Sequence, residues 1–121
     1  MVADGLVATN AHNLRDRTTT ITFADGRQAQ GELAGADVEG DLAVLRVDTE
    51  GAPPAALGGA THTGDVVFAV ARAAAGGTRV SFGLVSGTER AFRGPRGRRI
   101  RGSVEHSAPL PRGSSGSPLV D

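Results

Sequence analysis

Turns that contain glycine divide this sequence into many short apolar runs, and this pattern limits the fold more than any other feature. The chain has 18 glycines among 121 residues, and its aromatic residues are four phenylalanines. The runs between the glycines are rich in Val, Leu, Ile and Ala, which is typical of short strands joined by tight turns. We therefore predict an all-β fold, with at most one turn of helix within residues 13–17.

Alternating and β-branched residues indicate where the strands lie. We expect strands at residues 5–9, 18–23, 28–33, 42–47, 65–72, 79–85 and 100–104. Asp-Gly or Gly-Gly pairs at positions 4–5, 25–26 and 76–77 are the expected turns. The prediction leaves an acidic loop at residues 36–41 and a basic, glycine-bearing loop at residues 90–101. Pro53 and Pro54 lie in a connector, residues 51–57, between two antiparallel β units.

The charge and the cysteine content exclude several classes of function. Thirteen basic and thirteen acidic side chains balance to a net charge of zero, which argues against nucleic acid or a membrane surface as the partner of the whole molecule. The absence of cysteine excludes a disulfide framework and a thiolate metal site. No apolar run approaches the roughly 18 residues of a membrane span, and the N-terminus lacks the charged and apolar regions of a secretory signal.

Residues 112–121 carry the strongest chemical signal. Three serines and two glycines precede Pro118 and an apolar pair. Glycines let backbone N–H groups converge on one point, and the apolar pair begins a buried strand, so the segment suits a turn that carries a nucleophile. A flexible Gly/Ser linker is the alternative interpretation.

His12 follows an apolar strand and Asp41 precedes one. They are the residue types that a nucleophilic serine needs as partners. A hydroxyl becomes a good nucleophile when a base takes its proton, and that base needs an acid that fixes its tautomer. The order His12, Asp41, Ser115 is also the order of the chymotrypsin-type triad. The three residues therefore predict an acyl-transfer site.

Four segments carry a resemblance to a known family. They are Thr9-Asn10-Ala11-His12, Asp25-Gly26-Arg27, the run from Ala36 to Val47, and the run from Gly113 to Leu119. In this order they resemble the HtrA/Deg-type trypsin-like serine proteases, in which three of these segments read T-N-A-H, D-x-x-x-D-L-A-L/V-L and G-N-S-G-G-P-L. Shorter similarities at residues 57–58, 64–67 and 82–86 extend the resemblance over nearly all of the chain.

The resemblance implies a two-barrel trypsin-like (chymotrypsin) fold whose terminal strands are missing. Residues 1–50 would form the first barrel and residues 58–121 an incomplete second barrel. His12 resembles the general base, Asp41 the orienting acid and Ser115 the nucleophile. The backbone N–H groups of Gly113 and Ser115 would form the oxyanion hole. Neither a metal nor another cofactor is implied.

The register of the serine motif selects Ser115 over its neighbours. Ser114 stands where the family often has asparagine, and Ser117 replaces a commoner glycine. His62 and His106 lie in no comparable motif, so they are not expected to act as the base.

Two further segments have expected roles. In the resemblance, Ala108, Pro109 and Leu110 approach the first specificity pocket, and small apolar residues there suit an uncharged aliphatic side chain. The basic loop at residues 90–101 has two interpretations: recognition of an acidic peptide, lipid or nucleic acid, or a solvated loop between strands.

The function implied by the resemblance is that of a serine endopeptidase, which hydrolyses peptide bonds of proteins through an acyl-enzyme. The alternatives are a non-catalytic trypsin-like module that binds unfolded or partner protein, and a plain β-barrel interaction domain. The expected partners are proteins or peptides, and contact with nucleic acid or a membrane is not expected. Assembly into a homo-oligomer is left as an open alternative. The family resemblance favours the cell envelope or another extracytoplasmic location. Without closing strands, we expect these 121 residues alone to be poorly stable or inactive.

Overall fold

The computed structural model describes residues 1–73, 76–94, 97 and 99–121. In this part of the chain it has eight strands, and a turn of 3₁₀ helix follows the first of them. The strands are β1 (Leu6–Asn10), β2 (Thr18–Thr22), β3 (Gln28–Asp37), β4 (Leu42–Arg46), β5 (Val66–Arg72), β6 (Thr78–Arg93), β7 (Arg99–His106) and β8 (Leu119–Val120), and the helical turn is Ala11–Asn13. The all-β prediction is confirmed. Within the same ranges, no helix combines the length and the apolar content needed to cross a membrane.

The first of two compact units, Met1–Leu57, contains one antiparallel sheet in the order β1-β4-β3-β2. Successive side chains of a strand point to opposite faces, so the alternating sequence of β4 buries Ala43 and Leu45 and leaves Leu42 half exposed. Val47, just after β4, is buried as well. The strand that directly follows Asp41, β4, is therefore an inner strand of this sheet with one buried face.

The second unit, Gly58–Asp121, contains an antiparallel sheet in the order β7-β6-β5-β8. One face of β5 and β6 is buried and carries Val67, Ala69 and Val85. The opposite face is also apolar: Val66 pairs with Leu84, Phe68 with Phe82 and Val70 with Val80 across the two strands, and apart from the half-buried Val70 these side chains are exposed. This unit thus lacks the polar outer face that an antiparallel sheet usually presents to water.

Three details of the sequence prediction are wrong. The basic loop at residues 90–101 is largely a hairpin, because β6 continues through Arg93 and β7 begins at Arg99; residues 95, 96 and 98 of it lie outside the described residues. The acidic loop is shorter than expected, since β3 extends through Asp37. The helical turn begins two residues earlier than the predicted range of 13–17, at Ala11–Asn13. In the two strand cases, pairing with a neighbouring strand overrides a composition that favours loops.

Arg27 fastens the hairpin between β2 and β3 to the chain that leaves β4. Its guanidinium donates hydrogen bonds to the carbonyl oxygens of Asp48 (3.3 Å) and Thr49 (3.2 Å). The same group lies 3.9 Å from the centre of the Phe23 ring. Gly26 has a φ of 88°, the left-handed conformation that a tight turn needs and that glycine adopts without strain. The Asp25-Gly26-Arg27 turn is therefore a structural clamp of the first unit.

Candidate active site

The pairing of β1 with β4 brings His12 and Asp41 together. Asn10, the last residue of β1, lies opposite Leu42, the first residue of β4. His12 follows β1 on the 3₁₀ turn, and Asp41 immediately precedes β4. Because antiparallel neighbours place the end of one strand beside the start of the other, the two side chains become adjacent although they are 29 residues apart in the sequence.

The Asp41 carboxylate binds His12 through two hydrogen bonds. The backbone N–H of His12 donates to Oδ1 at 2.9 Å, and Nδ1 of the ring lies 2.6 Å from Oδ2. An ionised carboxylate only accepts hydrogen bonds, so the short ring contact requires the proton on Nδ1. In the neutral form of the ring, the lone pair then resides on Nε2, and that nitrogen is the one that can accept a proton. The side chain of Asp41 is 5% exposed and that of His12 is 31% exposed.

Asp41 itself is held in an uncommon backbone conformation. Its φ is 58°, in the left-handed region that residues other than glycine rarely adopt. Its carbonyl oxygen accepts hydrogen bonds from the Asn10 side-chain amide and from the Ala11 backbone N–H, both at 3.1 Å. These contacts, with the two to His12, compensate a strain of about 1–3 kcal/mol. Strain of this kind is concentrated at functional sites.

The serine segment consists of two consecutive turns. The N–H of Ser114 donates to the Pro111 carbonyl at 3.2 Å, and the N–H of Ser117 donates to the Ser114 carbonyl at 2.9 Å. The third residue of each turn is glycine: Gly113 has a φ of 86° and Gly116 a φ of 82°. A positive φ near 80° at this position is the requirement of a type II turn. The glycines thus fix the backbone on both sides of the serine motif.

The three serines of this segment have different surroundings. The Ser114 hydroxyl donates to the Pro111 carbonyl at 2.7 Å and is partly buried. Ser117 is half-buried next to Pro118, whereas Ser115 is exposed at the second position of its turn. Ser115 is accordingly the serine that this turn presents to solvent.

The expected pocket residues lie against the middle of β6. Ala108 is 5% exposed, whereas Leu110 is 58% exposed. The Leu84 N–H donates to the Ser107 hydroxyl at 2.9 Å, and the Ser107 N–H donates to the Leu84 carbonyl at 3.0 Å. These bonds place residues 107–108 directly on the backbone of β6.

Gly83 makes this close approach feasible, and the sequence reasoning missed it. A Cβ added at Gly83 would lie 2.7 Å from the Cα of Ala108 and closer still to its backbone nitrogen. Only glycine fits at such a distance. The available signal was a glycine inside an otherwise apolar strand, which marks a place where another backbone comes close.

The two other histidines lie in the second unit, in surroundings unlike those of His12. His62 is 76% exposed, and its Nδ1 is 3.7 Å from Oδ2 of Asp65, in a turn. The Nδ1 of His106 is buried and has no hydrogen-bond partner in the part of the chain that the structure describes. Neither ring thus has the short carboxylate bond that orients His12. The described residues also contain no group of three or more His, Asp or Glu arranged to hold a metal ion.

A model of the trypsin-like peptidase domain family matches residues 1–121. The chain belongs to this family. Protease Do-like 5, chloroplastic, from Arabidopsis thaliana is 31% identical in an alignment of 121 positions that covers 95% of this chain and 38% of that protein. Serine endoprotease DegS from Escherichia coli (strain K12) is 33% identical in an alignment of 121 positions that covers 97% of this chain and 34% of DegS. The chain therefore spans little more than a third of the length of these relatives.

Solved structures agree with this assignment. The HtrA-type protease AlgW, solved with a decapeptide, matches with a TM-score of 0.84 at 33% identity, covering 100% of this chain and 38% of AlgW. Deg5 matches with a TM-score of 0.77 at 28% identity, covering 100% of this chain and 66% of Deg5. The resemblance to HtrA/Deg-type serine proteases and the prediction of a trypsin-like fold are both confirmed.

Proposed function

We propose that this domain is a serine endopeptidase in which Ser115 is the nucleophile, His12 the general base and Asp41 the acid that orients the base. The observation that carries the proposal is the 2.6 Å contact between His12 Nδ1 and Asp41 Oδ2. With the ring neutral, this contact takes the proton on Nδ1 and leaves the lone pair on Nε2, the form in which an imidazole can remove a proton from a hydroxyl. The exposed Ser115 on its glycine-fixed turn supplies that hydroxyl.

The proposed reaction has two stages. Ser115 Oγ attacks the peptide carbonyl while its proton moves to Nε2 of His12. The tetrahedral intermediate collapses to an acyl-enzyme as the same proton passes to the leaving amine. A water molecule, activated by His12, then releases the acid product and restores the serine. Asp41 stabilises the imidazolium throughout and is not protonated.

The backbone N–H groups of Gly113 and Ser115 are the proposed donors to the oxyanion. Gly113 and Gly116 support this role, because their positive φ values set the direction of the peptide groups in the two turns. Each donor of this type contributes about 10²–10³ in rate. The geometry of the turn would then matter as much to catalysis as the three side chains.

The proposed substrates are proteins or peptides that place an uncharged aliphatic side chain beside Ala108, Pro109 and Leu110. The Pro109 carbonyl accepts a hydrogen bond from the Ser81 hydroxyl, which helps to hold this segment on β6. The structure of AlgW with a decapeptide is in keeping with a peptide substrate. We further propose that residues 1–50 and 58–121 correspond to the two barrels, joined by residues 51–57.

The proposed location is extracytoplasmic or within an organelle. Relatives named chloroplastic and mitochondrial are consistent with it. We also propose that the protein forms a homo-oligomer, and a measurement of its molar mass by light scattering tests this.

Labelling by a fluorophosphonate probe tests the catalytic proposal, because the probe reacts with a serine only when a base activates it. We expect labelling of the folded protein and its loss in Ser115→Ala. Ser114→Ala is the matched control: it removes a neighbouring hydroxyl that bonds within its own turn, so its labelling should stay within about threefold of the parent. A folded protein that does not label, or equal labelling of Ser115→Ala, would favour a non-catalytic binding module instead.

A further inference from the structure

Asn10 lies where β1 ends and the helical turn begins, but its side chain does not cap that turn. Asparagine is common at this position because its side-chain oxygen accepts a hydrogen bond from the first N–H groups of a helix. In this structure the amide nitrogen of Asn10 instead donates to the carbonyl oxygen of Asp41, at 3.1 Å. The two residues are 31 positions apart in the sequence. The side chain of Asn10 therefore serves a long-range contact and not the local one.

This contact supports the uncommon backbone conformation of Asp41. The carbonyl oxygen of Asp41 accepts from the Asn10 amide and from the Ala11 N–H, and these two donors match its two lone pairs. Asp41 is buried, with 4% of its surface exposed. An aspartate with a φ of 58° has other conformations of lower energy, so the bonds to its carbonyl help to select the left-handed one.

The direction of the Asp41 carboxylate follows from this backbone conformation. An aspartate side chain has two torsions, so its carboxylate has few positions once the backbone is fixed. Here Oδ1 and Oδ2 reach the backbone N–H and the ring Nδ1 of His12, at 2.9 and 2.6 Å. Residues 10–12 thus hold Asp41 at both ends, at its carbonyl and at its carboxylate. The bond from Asn10 is made by a side chain that lies outside the proposed path of the proton.

The pairing of β1 with β4 does not require the side chain of Asn10. The two strands are paired from Leu6 with Arg46 to Asn10 with Leu42. The bonds of this ladder join backbone groups, which stay in place when a side chain is replaced. Substitution of Asn10 therefore separates the position of Asp41 from the folding of the sheet.

We propose that Asn10 is a positioning residue of the active site: its amide, by holding the Asp41 carbonyl, aims the Asp41 carboxylate at the ring of His12. This role rests on the proposed function, in which that carboxylate orients the general base. Asn10 acts through Asp41 and is not itself in the path of the proton. Its expected contribution is about 10–100-fold in kcat, the effect of a small misplacement of a catalytic group.

The test replaces Asn10 by leucine, which has a similar size but no hydrogen-bond donor. Asn10→Leu should lower kcat about 10–100-fold and leave KM within about threefold, because the lost contact orients the base and does not bind substrate. Asn10→Ala adds no apolar bulk to this half-buried position and should behave in the same way.

Proton NMR without substrate gives a second measurement. A proton in a short hydrogen bond to a carboxylate resonates far downfield, and the contact of His12 Nδ1 with Asp41 is of this kind. The downfield Nδ1–H signal of His12 should move upfield or disappear in Asn10→Leu and in Asn10→Ala.

Two controls separate positioning from a loss of stability. Arg27→Ala removes two hydrogen bonds from the same unit and should keep the NMR signal, with kcat within about threefold of the parent. Asn10→Leu added to Asp41→Asn should lower kcat by less than about threefold further, because a residue that acts through the carboxylate has no effect once the carboxylate is gone.

An unchanged NMR signal in folded Asn10→Leu, an equal loss of kcat in Arg27→Ala, or the full additional loss in the double variant would overturn the proposal. The NMR comparison does not depend on catalysis. A parent protein with the downfield signal but without peptide hydrolysis would refute the proposed function, whereas loss of that signal in Asn10→Leu would still support the role of Asn10 in holding Asp41.

Discussion

Replacing Asp41 by asparagine keeps the shape of the side chain but removes one acceptor from a site that needs two. In the structure, Oδ1 accepts the His12 backbone N–H and Oδ2 accepts the ring Nδ1–H. An amide offers one oxygen and one NH₂ group, so it can satisfy only one of these donors. If the NH₂ group faced the backbone N–H, two donors would oppose each other in a buried place, at a cost of about 1–3 kcal/mol.

The favoured arrangement in Asp41→Asn is therefore the one in which the NH₂ group faces Nδ1. The ring nitrogen must then accept the hydrogen bond, so the proton of a neutral His12 moves to Nε2. An Nε2 that carries a proton cannot take one from Ser115. The equivalent change in a chymotrypsin-type triad lowers kcat by about 10⁴. That factor corresponds to about 5.4 kcal/mol of transition-state stabilisation.

The assay measures kcat for a peptide with an aliphatic residue before the scissile bond, together with thermal unfolding of both proteins. We expect the full loss of rate with a melting temperature within a few degrees of the parent, because the Asp41 carbonyl keeps its bonds to Asn10 and Ala11. A fall in kcat of less than about tenfold would refute the argument that the carboxylate sets the tautomer of His12.

Two stability predictions concern residues outside the proposed triad. Gly83→Ala should destabilise the second unit by about 3 kcal/mol or more, because the new methyl group meets the backbone of Ala108, and no rotamer change can relieve that clash. Gly58→Ala, at a position with open space, is the control. Equal urea midpoints for the two variants would contradict the prediction. Arg27→Ala should cost about 1–3 kcal/mol, because two backbone carbonyls lose a charged donor. Chemical denaturation measures this, and a loss below about 0.5 kcal/mol would show that Arg27 is not a clamp.

The sequence predicts most of this architecture because its turn signals are local. Asp25-Gly26 forms its turn through Gly26, whose positive φ needs no tertiary contact to be favourable, and β4 follows from its own apolar alternation. The full length of β6 and β7 could not be predicted in this way. Arginine and glycine dominate residues 90–101, and it is the pairing between the two strands that makes residues 90–93 and 99–101 extended.

The candidate site likewise has a part that the sequence predicts and a part that it does not. Residue types and their order point to His12, Asp41 and Ser115, whereas the uncommon φ of Asp41 and the contact of Gly83 with Ala108 arise only when distant segments meet. No sequence pattern of the Asp41 segment specifies a φ of 58°, because aspartate can adopt several other conformations there. Both features therefore depend on the tertiary structure and not on the local sequence.

Strand register connects the fold to the chemistry in the first unit. The bond between His12 and Asp41 exists because Asn10 lies opposite Leu42, which brings the residues after β1 beside the residue before β4. A slip of one residue would move each strand by about 3.3 Å, more than the whole length of the 2.6 Å contact, and would break it. The same slip would expose Ala43 and Leu45 and bury their neighbours. The buried face of β4 thus fixes the register that brings His12 and Asp41 together, so substitutions that weaken this small core should disturb that pair before they unfold the protein.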